Sequence, residues 1–280
     1  EKSESYKFSY KVVIKSFFRW LHGYSKKQGY PEVVDWIECG GREASKLPEI
    51  LTMEEIQRML ESCENYRDSA IVSVLYESGC RLGEILGLRI KDLKFDKYGA
   101  VLMVNGKTGM RRIRLVSSTA YLKSWLNFHP RKNEPQAPLF CSLAKNTKGK
   151  PLSDSSLYWI LNNIKKNAGI RRRIHPHLFR HTRATHLAKH LTEQELKKFF
   201  GWKMNSNMPQ VYVHLSGRDL DERILEINGV KPEKKGEEKP KVPTIKCPRC
   251  GEENPFGNKF CWKCQAPLDQ KVIELSLIHI

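Results

Sequence analysis

Residues 175–182 read His-Pro-His-Leu-Phe-Arg-His-Thr. Pro176 suits the first turn of a helix, where its missing N–H is no loss and its fixed φ helps, so a helix is predicted over 176–190. On that helix His177 and Arg180 stand three residues apart and share a face. An imidazole beside a guanidinium can act on a phosphate, although a lone Arg is usually a solvated charge or a structural ion pair. The same helix holds two i, i+4 histidine pairs, His177 with His181 and His186 with His190, which could in principle bind zinc. Neither an HExxH arrangement nor a third spaced ligand accompanies them. His175, His181 and His186 are therefore read as packing or hydrogen-bonding residues.

Upstream, residues 77–88 read ESGCRLGEILGL and put Arg81 just after Gly79, which ends a helix predicted around Ser69–Ser78. Arg81–Leu88 is itself a short helical pattern. The runs Ala100–Val104 and Arg112–Val116 then flank Asn-Gly-Lys-Thr-Gly at 105–109, a β-hairpin with Lys107 in its turn. Downstream, residues 201–215 read GWKMNSNMPQVYVHL and supply Trp202, Tyr212 and a short helix starting at Pro209. Thr52 with Glu55, and Thr192 with Glu195, form capping boxes that open two more helices. Apolar stripes predict helices over 6–22, 118–128 and 154–168, the last stopped by Gly169. The expected fold class is α+β, mainly helical with one small sheet.

Taken in this order and spacing, the segments resemble the tyrosine recombinase (phage integrase, Xer-type) family. That family's pattern is Arg, Lys, His-x-x-Arg, His or Trp, then Tyr. The matching residues are Arg81, Lys107, His177, Arg180, Trp202 and Tyr212, and Glu84 matches an acidic position of the first Arg segment. The resemblance runs from about Leu47 to Asn228. It implies site-specific recombination of double-stranded DNA through a 3′-phosphotyrosine and a free 5′-hydroxyl, without ATP or a catalytic metal. It also implies four protomers acting on two duplexes. The chemistry is consistent with the residue types. Two Arg forks can hold the charge that builds on nonbridging phosphate oxygens. A Tyr hydroxyl with a pKa near ~10 needs a cationic field and a proton acceptor. Lys107 on its hairpin could protonate the leaving oxygen, and the indole N–H of Trp202 could donate to the phosphate. A noncatalytic DNA-binding protein derived from the same fold is the alternative expectation. A type IB topoisomerase shares similar chemistry, but the 175–182 and 201–215 contexts look more like integrases.

Composition agrees with a nucleic-acid partner: 49 Lys and Arg against 31 Asp and Glu give 280 residues a formal charge of +18. No run approaches the ~18 apolar residues of a membrane span, so a cytoplasmic protein is expected. No Asp/Glu cluster suits two Mg²⁺ ions, and GKTG at 106–109 is too short for a Walker A loop. Arg111-Arg112 and Arg171–Arg173 are expected to contact backbone phosphates. Four of the eight cysteines form C-x₂-C-x₁₀-C-x₂-C, with Cys247, Cys250, Cys261 and Cys264 able to close a tetrahedral structural Zn²⁺ site. That segment resembles a short zinc ribbon. The expected organisation is residues 1–45 as a remnant of an N-terminal helical core-binding domain and 46–230 as the catalytic domain. A charged flexible linker over 231–245, the ribbon over 246–269 and a tail of unknown role over 270–280 follow.

Overall fold

A computed structural model describes residues 4–39, 49–215, 228 and 242–268. They fall into two compact units, which divide between Pro48 and Glu49. The expected linker over Gly40–Pro48, residues 231–241 of the charged linker and the 270–280 tail lie outside the described residues.

In the first unit, α1 (Glu4–Leu21) forms where the 3.6-residue stripe was read, and the short α2 (Glu32–Asp35) packs against it. Lys15 ties the two together, because its ammonium donates to the Asp35 and Ile37 carbonyls at 3.3 and 3.1 Å. It also lies 4.5 Å from the centre of the Tyr30 ring.

The second unit is organised around α4 (Tyr66–Ser78), which is buried at every position from Arg67 to Ser78 except Asp68. A helix apolar or small all round must be central, and its serines stay satisfied by back-bonding, as Ser78 Oγ does to the Val74 carbonyl at 2.6 Å. Helices α6 (Ser118–Phe128) and α8 (Pro176–Ala188) pack on it, with α3 (Met53–Glu61) and α7 (Asp154–Asn167) completing the core. Glu77 joins α4 to α6: its carboxylate accepts from the Val116, Ser117 and Ser118 N–H groups at 2.7–3.1 Å, where α6 begins. Gly79 ends α4 in the left-handed region, φ +57°, and a Cβ there would meet the Phe200 ring at 2.5 Å.

After α5 (Leu82–Leu86), three antiparallel strands follow, β1 (Leu93–Asp96), β2 (Gly99–Gly106) and β3 (Gly109–Leu115), in the order β1-β2-β3. The β2–β3 register pairs Leu102 with Ile113 and closes at Gly106 and Gly109, leaving Lys107 and Thr108 as a two-residue turn. The hairpin matches the expectation; β1, carried by the short Leu93-Lys94-Phe95-Asp96, was not foreseen. Both capping boxes form, at Thr52–Glu55 and at Thr192–Glu195, the latter opening α9 (Glu193–Phe200). Helix α10 (Met208–Leu215) begins one residue before Pro209.

A second, two-stranded sheet, β4 (Thr244–Lys246) with β5 (Glu253–Pro255), carries the cysteine knuckles. It does not stand apart from the helical core. Val242 is buried in that core, and the Tyr121 hydroxyl on α6 donates to the Pro243 carbonyl at 2.6 Å. The same hydroxyl accepts from the Phe256 N–H at 3.1 Å, and Lys123 pairs with Glu252 at 2.9 Å. The flexible linker expected through residue 245 therefore ends earlier, because Val242 is buried in the helical core and the Pro243 carbonyl accepts from Tyr121 on α6.

Candidate active site

The C-terminus of α9 organises the site. A helix end leaves its last carbonyls without intrahelical partners and with partial negative charge. Here three successive carbonyls each take a different guanidinium. Phe199 O accepts from Arg111 Nε at 3.0 Å, Phe200 O from Arg180 Nη2 at 2.6 Å, and Gly201 O from Arg81 Nη2 at 3.3 Å. Thr108, beside Lys107 in the hairpin turn, also donates to Gly201 O at 3.0 Å.

Arg81 sits at the start of α5, where the Glu84 carboxylate accepts from its backbone N–H and from Nη1, both at 2.8 Å. Glu84 also receives a two-pronged fork from Arg111 at 2.8 and 2.7 Å. Burial pushes this carboxyl up, but the hydrogen bonds and charge of Arg111 and Arg81 outweigh it and hold Glu84 at about 2. Arg180 is only 2% exposed. Its Nη1 donates to Gly79 O at 2.9 Å, and its guanidinium lies 5.0 and 5.5 Å from the Phe200 and Trp202 ring centres. Burial first, then the cation of Arg81, lowers it to about 10, so it stays charged at neutral pH.

Tyr212 stacks on Trp202 with ring centres 5.5 Å apart and planes 5° off parallel. It is 1% exposed, and burial pushes its hydroxyl up to about 12 against the opposing charge of Arg180. That hydroxyl shares a 2.5 Å hydrogen bond with His181 Nδ1. The His181 ring in turn meets the exposed His177 ring edge-on at 4.3 Å. Burial, and after it the cations of His177, His175 and Arg180, bring His181 down to about 4, so it is neutral at neutral pH. Lys107 is exposed at the hairpin turn. A cleft of about 550 Å³ opens between that hairpin and α9, lined in part by Thr108, Arg112, Lys197, Lys198 and Trp202.

Arg81, Arg180, Trp202 and Tyr212 thus converge on one helix end, with His177 joined to them through His181. Two expectations change. Arg111 does not face solvent for a phosphate: its side chain is 8% exposed and committed to Glu84. Arg172 pairs with Glu55 and donates to the Ile50 carbonyl at 2.7 Å. His181, read as a packing or hydrogen-bonding residue, does hydrogen-bond, and its partner is the Tyr212 hydroxyl. Neither Arg111 nor His181 carries a spacing signal that would have marked these roles. His175 and His186 behave as read, His175 Nδ1 accepting from the Leu178 N–H and His186 Nδ1 bonding the Tyr76 hydroxyl.

Residues 49–218 match the family described as the phage integrase family. The chain belongs to that family. Tyrosine recombinases are its relatives: it is 31% identical over 215 residues to a tyrosine recombinase of Pseudothermotoga lettingae, covering 75% of this chain and 71% of that one. It is 30% identical over 196 residues to tyrosine recombinase XerD of Bifidobacterium longum, covering 65% of this chain and 63% of the relative. The integrase fold is shared with the XerH site-specific recombinase bound to palindromic difH substrate in a post-cleavage complex. That likeness has a TM-score of 0.60 at 25% identity and covers 80% of this chain and 66% of that one. XerA recombinase matches with a TM-score of 0.53 at 22% identity, over 82% of this chain and 77% of that chain. Residues 243–269 of this integrase-family chain match a domain of unknown function, DUF7577.

In that domain the four cysteine sulfurs lie within 4.8 Å of one another, with Cys247–Cys264 at 3.6 Å and Cys250–Cys261 at 3.7 Å. A tetrahedron of thiolates around Zn²⁺ at ~2.3 Å requires sulfurs about 3.8 Å apart, so the quartet fits such an ion. Among the described residues no helix is long and apolar enough to cross a membrane.

Proposed function

We propose that this chain is a tyrosine-type site-specific DNA recombinase that cleaves and rejoins strands through Tyr212. The gathering of Arg81, Arg180, Trp202 and Tyr212 at the α9 end supports this reading above all. As it leaves His181, Tyr212 Oη gives up its proton to that neutral ring and attacks the scissile phosphorus, displacing the 5′-oxygen, which leaves with a proton from Lys107. The resulting 3′-phosphotyrosine keeps the phosphoester, so another 5′-hydroxyl can reverse the step without ATP. Arg81 and Arg180 neutralise the nonbridging oxygens, and His177 and the Trp202 indole donate to them.

The buried Tyr212 must move before it can attack, since its hydroxyl is held on His181 and a phosphate cannot reach it there. The charge of +18 and the basic cleft beside the hairpin suit a double-stranded DNA partner, with four protomers acting on two duplexes. Residues 1–45 would contribute a helical element of the DNA clamp. The cysteine quartet would hold a structural zinc, and the catalytic step needs no metal.

The test is covalent trapping on a nicked suicide duplex built on the site that the protein selects from random DNA. A denaturant-stable adduct should form with the wild-type chain and vanish in Tyr212→Phe while DNA affinity stays within about threefold. Tight, selective binding with no wild-type adduct would instead support a noncatalytic DNA-binding protein.

A further inference from the structure

Arg111 lies outside the six residues assigned to the chemistry, yet it touches the supports of three of them. It grips both oxygens of Glu84, the carboxylate that also holds the Arg81 side chain and backbone. Its Nε binds the Phe199 carbonyl, next to the two carbonyls that hold Arg180 and Arg81. It stands on β3, four residues beyond Lys107, so it also fixes the root of the hairpin. The surroundings are shaped to it: Gly201 has φ +60°, and a Cβ there would meet Arg111 Nη1 at 3.0 Å and Thr108 Oγ1 at 3.1 Å.

We propose that Arg111 is a positioning residue for strand cleavage, setting through Glu84 the direction in which the Arg81 guanidinium presents itself to the phosphate. Resting on the recombinase reading above, this assigns Arg111 no contact with DNA. Without the fork, Glu84 would be free to take both prongs of Arg81, turning that guanidinium inward. The α9 end would also lose one of its three cationic ties. A lysine can supply the charge but not the two-pronged geometry.

The experiment measures single-turnover adduct formation at saturating suicide duplex for wild type, Arg111→Met and Arg111→Lys, alongside DNA affinity and thermal unfolding. Cleavage should fall about 100-fold in Arg111→Met and about 10-fold in Arg111→Lys, a loss of the order seen when one oxyanion donor is misplaced. Affinity should stay within about threefold. The discriminating substrate carries a methylphosphonate at the scissile position, which removes the charge that Arg81 neutralises. On it the deficits of Arg111→Lys and of Arg81→Ala should both shrink to a few-fold, because the misplaced guanidinium no longer matters. A purely structural defect would lower the unfolding temperature and leave the same deficit on both substrates, overturning the proposal. So would a phosphate-substrate rate in Arg111→Lys equal to wild type. If Arg111→Met does not fold, the Arg111→Lys pair of substrates decides alone. A wild-type chain that forms no adduct would instead overturn the recombinase reading.

Discussion

Two carboxylates in this chain each gather two cations, and they teach different things. Glu84 is 4% exposed at its side chain and takes Arg111 and Arg81, whereas Glu252 is 19% exposed and takes Lys123 and Lys263. Burial makes the first ion cluster stiff and costly to break, because a charge left unpaired there cannot recover its hydration. The second stays in reach of water and contributes little, as lysine pairs at surfaces do. Arginine forks hold geometry at the α9 end; of the lysine point charges, Lys123 tethers the cysteine sheet to α6 and Lys263 pairs within the cysteine domain itself.

Neutralising each carboxylate breaks the comparison open. Glu84→Gln should reduce single-turnover cleavage by about 100-fold or more and destabilise the fold by about 3 kcal/mol, chiefly through the buried Arg111 guanidinium left partly unpaired, with the half-buried Arg81 adding less. Glu252→Gln should leave cleavage unchanged and cost less than about 1 kcal/mol. Denaturant unfolding and adduct kinetics on the same pair of variants check both halves. Equal effects would mean that burial does not separate the two clusters.

Much of this contrast was legible in the sequence, though unevenly. The stripes, the two capping boxes and the Lys107 turn are local, so spacing shows them. The segments with Arg81, His177, Arg180, Trp202 and Tyr212 are recognisable because each keeps a characteristic neighbourhood. What spacing cannot show is who faces whom across 27 or 31 residues. Arg111 closing on Glu84 and His181 closing on Tyr212 are pairings set by packing of β3 and α10. Arg111-Arg112 looks like one basic patch, yet only Arg112 is exposed, while the Arg111 side chain is 8% exposed and committed to the ion cluster. Val242 escaped notice because a lone valine among Lys and Pro has no periodicity to mark it.

The cysteine sheet sharpens the comparison through metal removal. Chelation should unfold residues 244–268, since a four-cysteine site of this size draws its folding energy from the ion. Because Val242 is buried in the helical core and the Tyr121 hydroxyl of α6 bonds Pro243 and Phe256, the helical core should also weaken. Losing that burial and those two hydrogen bonds amounts to about 3 kcal/mol, or roughly 10 °C in unfolding temperature. Calorimetry with and without chelator, followed by zinc readdition, measures this. A helical-core transition that does not move would show the sheet to be an independent module. Neither Val242 nor Tyr121 is among the residues that hold the α9 cluster, so residual adduct formation below the new transition should persist.

A smaller effect than metal removal is expected from acid, and it isolates the tyrosine from the arginines. His181 is held at about 4 against an ordinary value near ~6.5, so the fold favours its neutral ring. A group held low contributes its stabilisation above its unfolded value and loses it as pH falls through the folded one, here between about 6.5 and 4. The loss attributable to His181 should reach about 2 kcal/mol after allowing for the water that reaches a half-buried ring. His186, also held at about 4, titrates in the same window, so the quantity to measure is a difference. Wild type and His181→Phe should converge in stability as pH falls from 6.5 to 4, while Glu84, at about 2, stays ionised throughout and leaves the arginine cluster intact. Protonated Nδ1 can no longer accept from the Tyr212 hydroxyl, so acid should loosen the berth of Tyr212 before it touches the arginine cluster. Parallel pH profiles for the two proteins would mean that His181 already carries its proton in the fold, donating to Tyr212 rather than receiving from it.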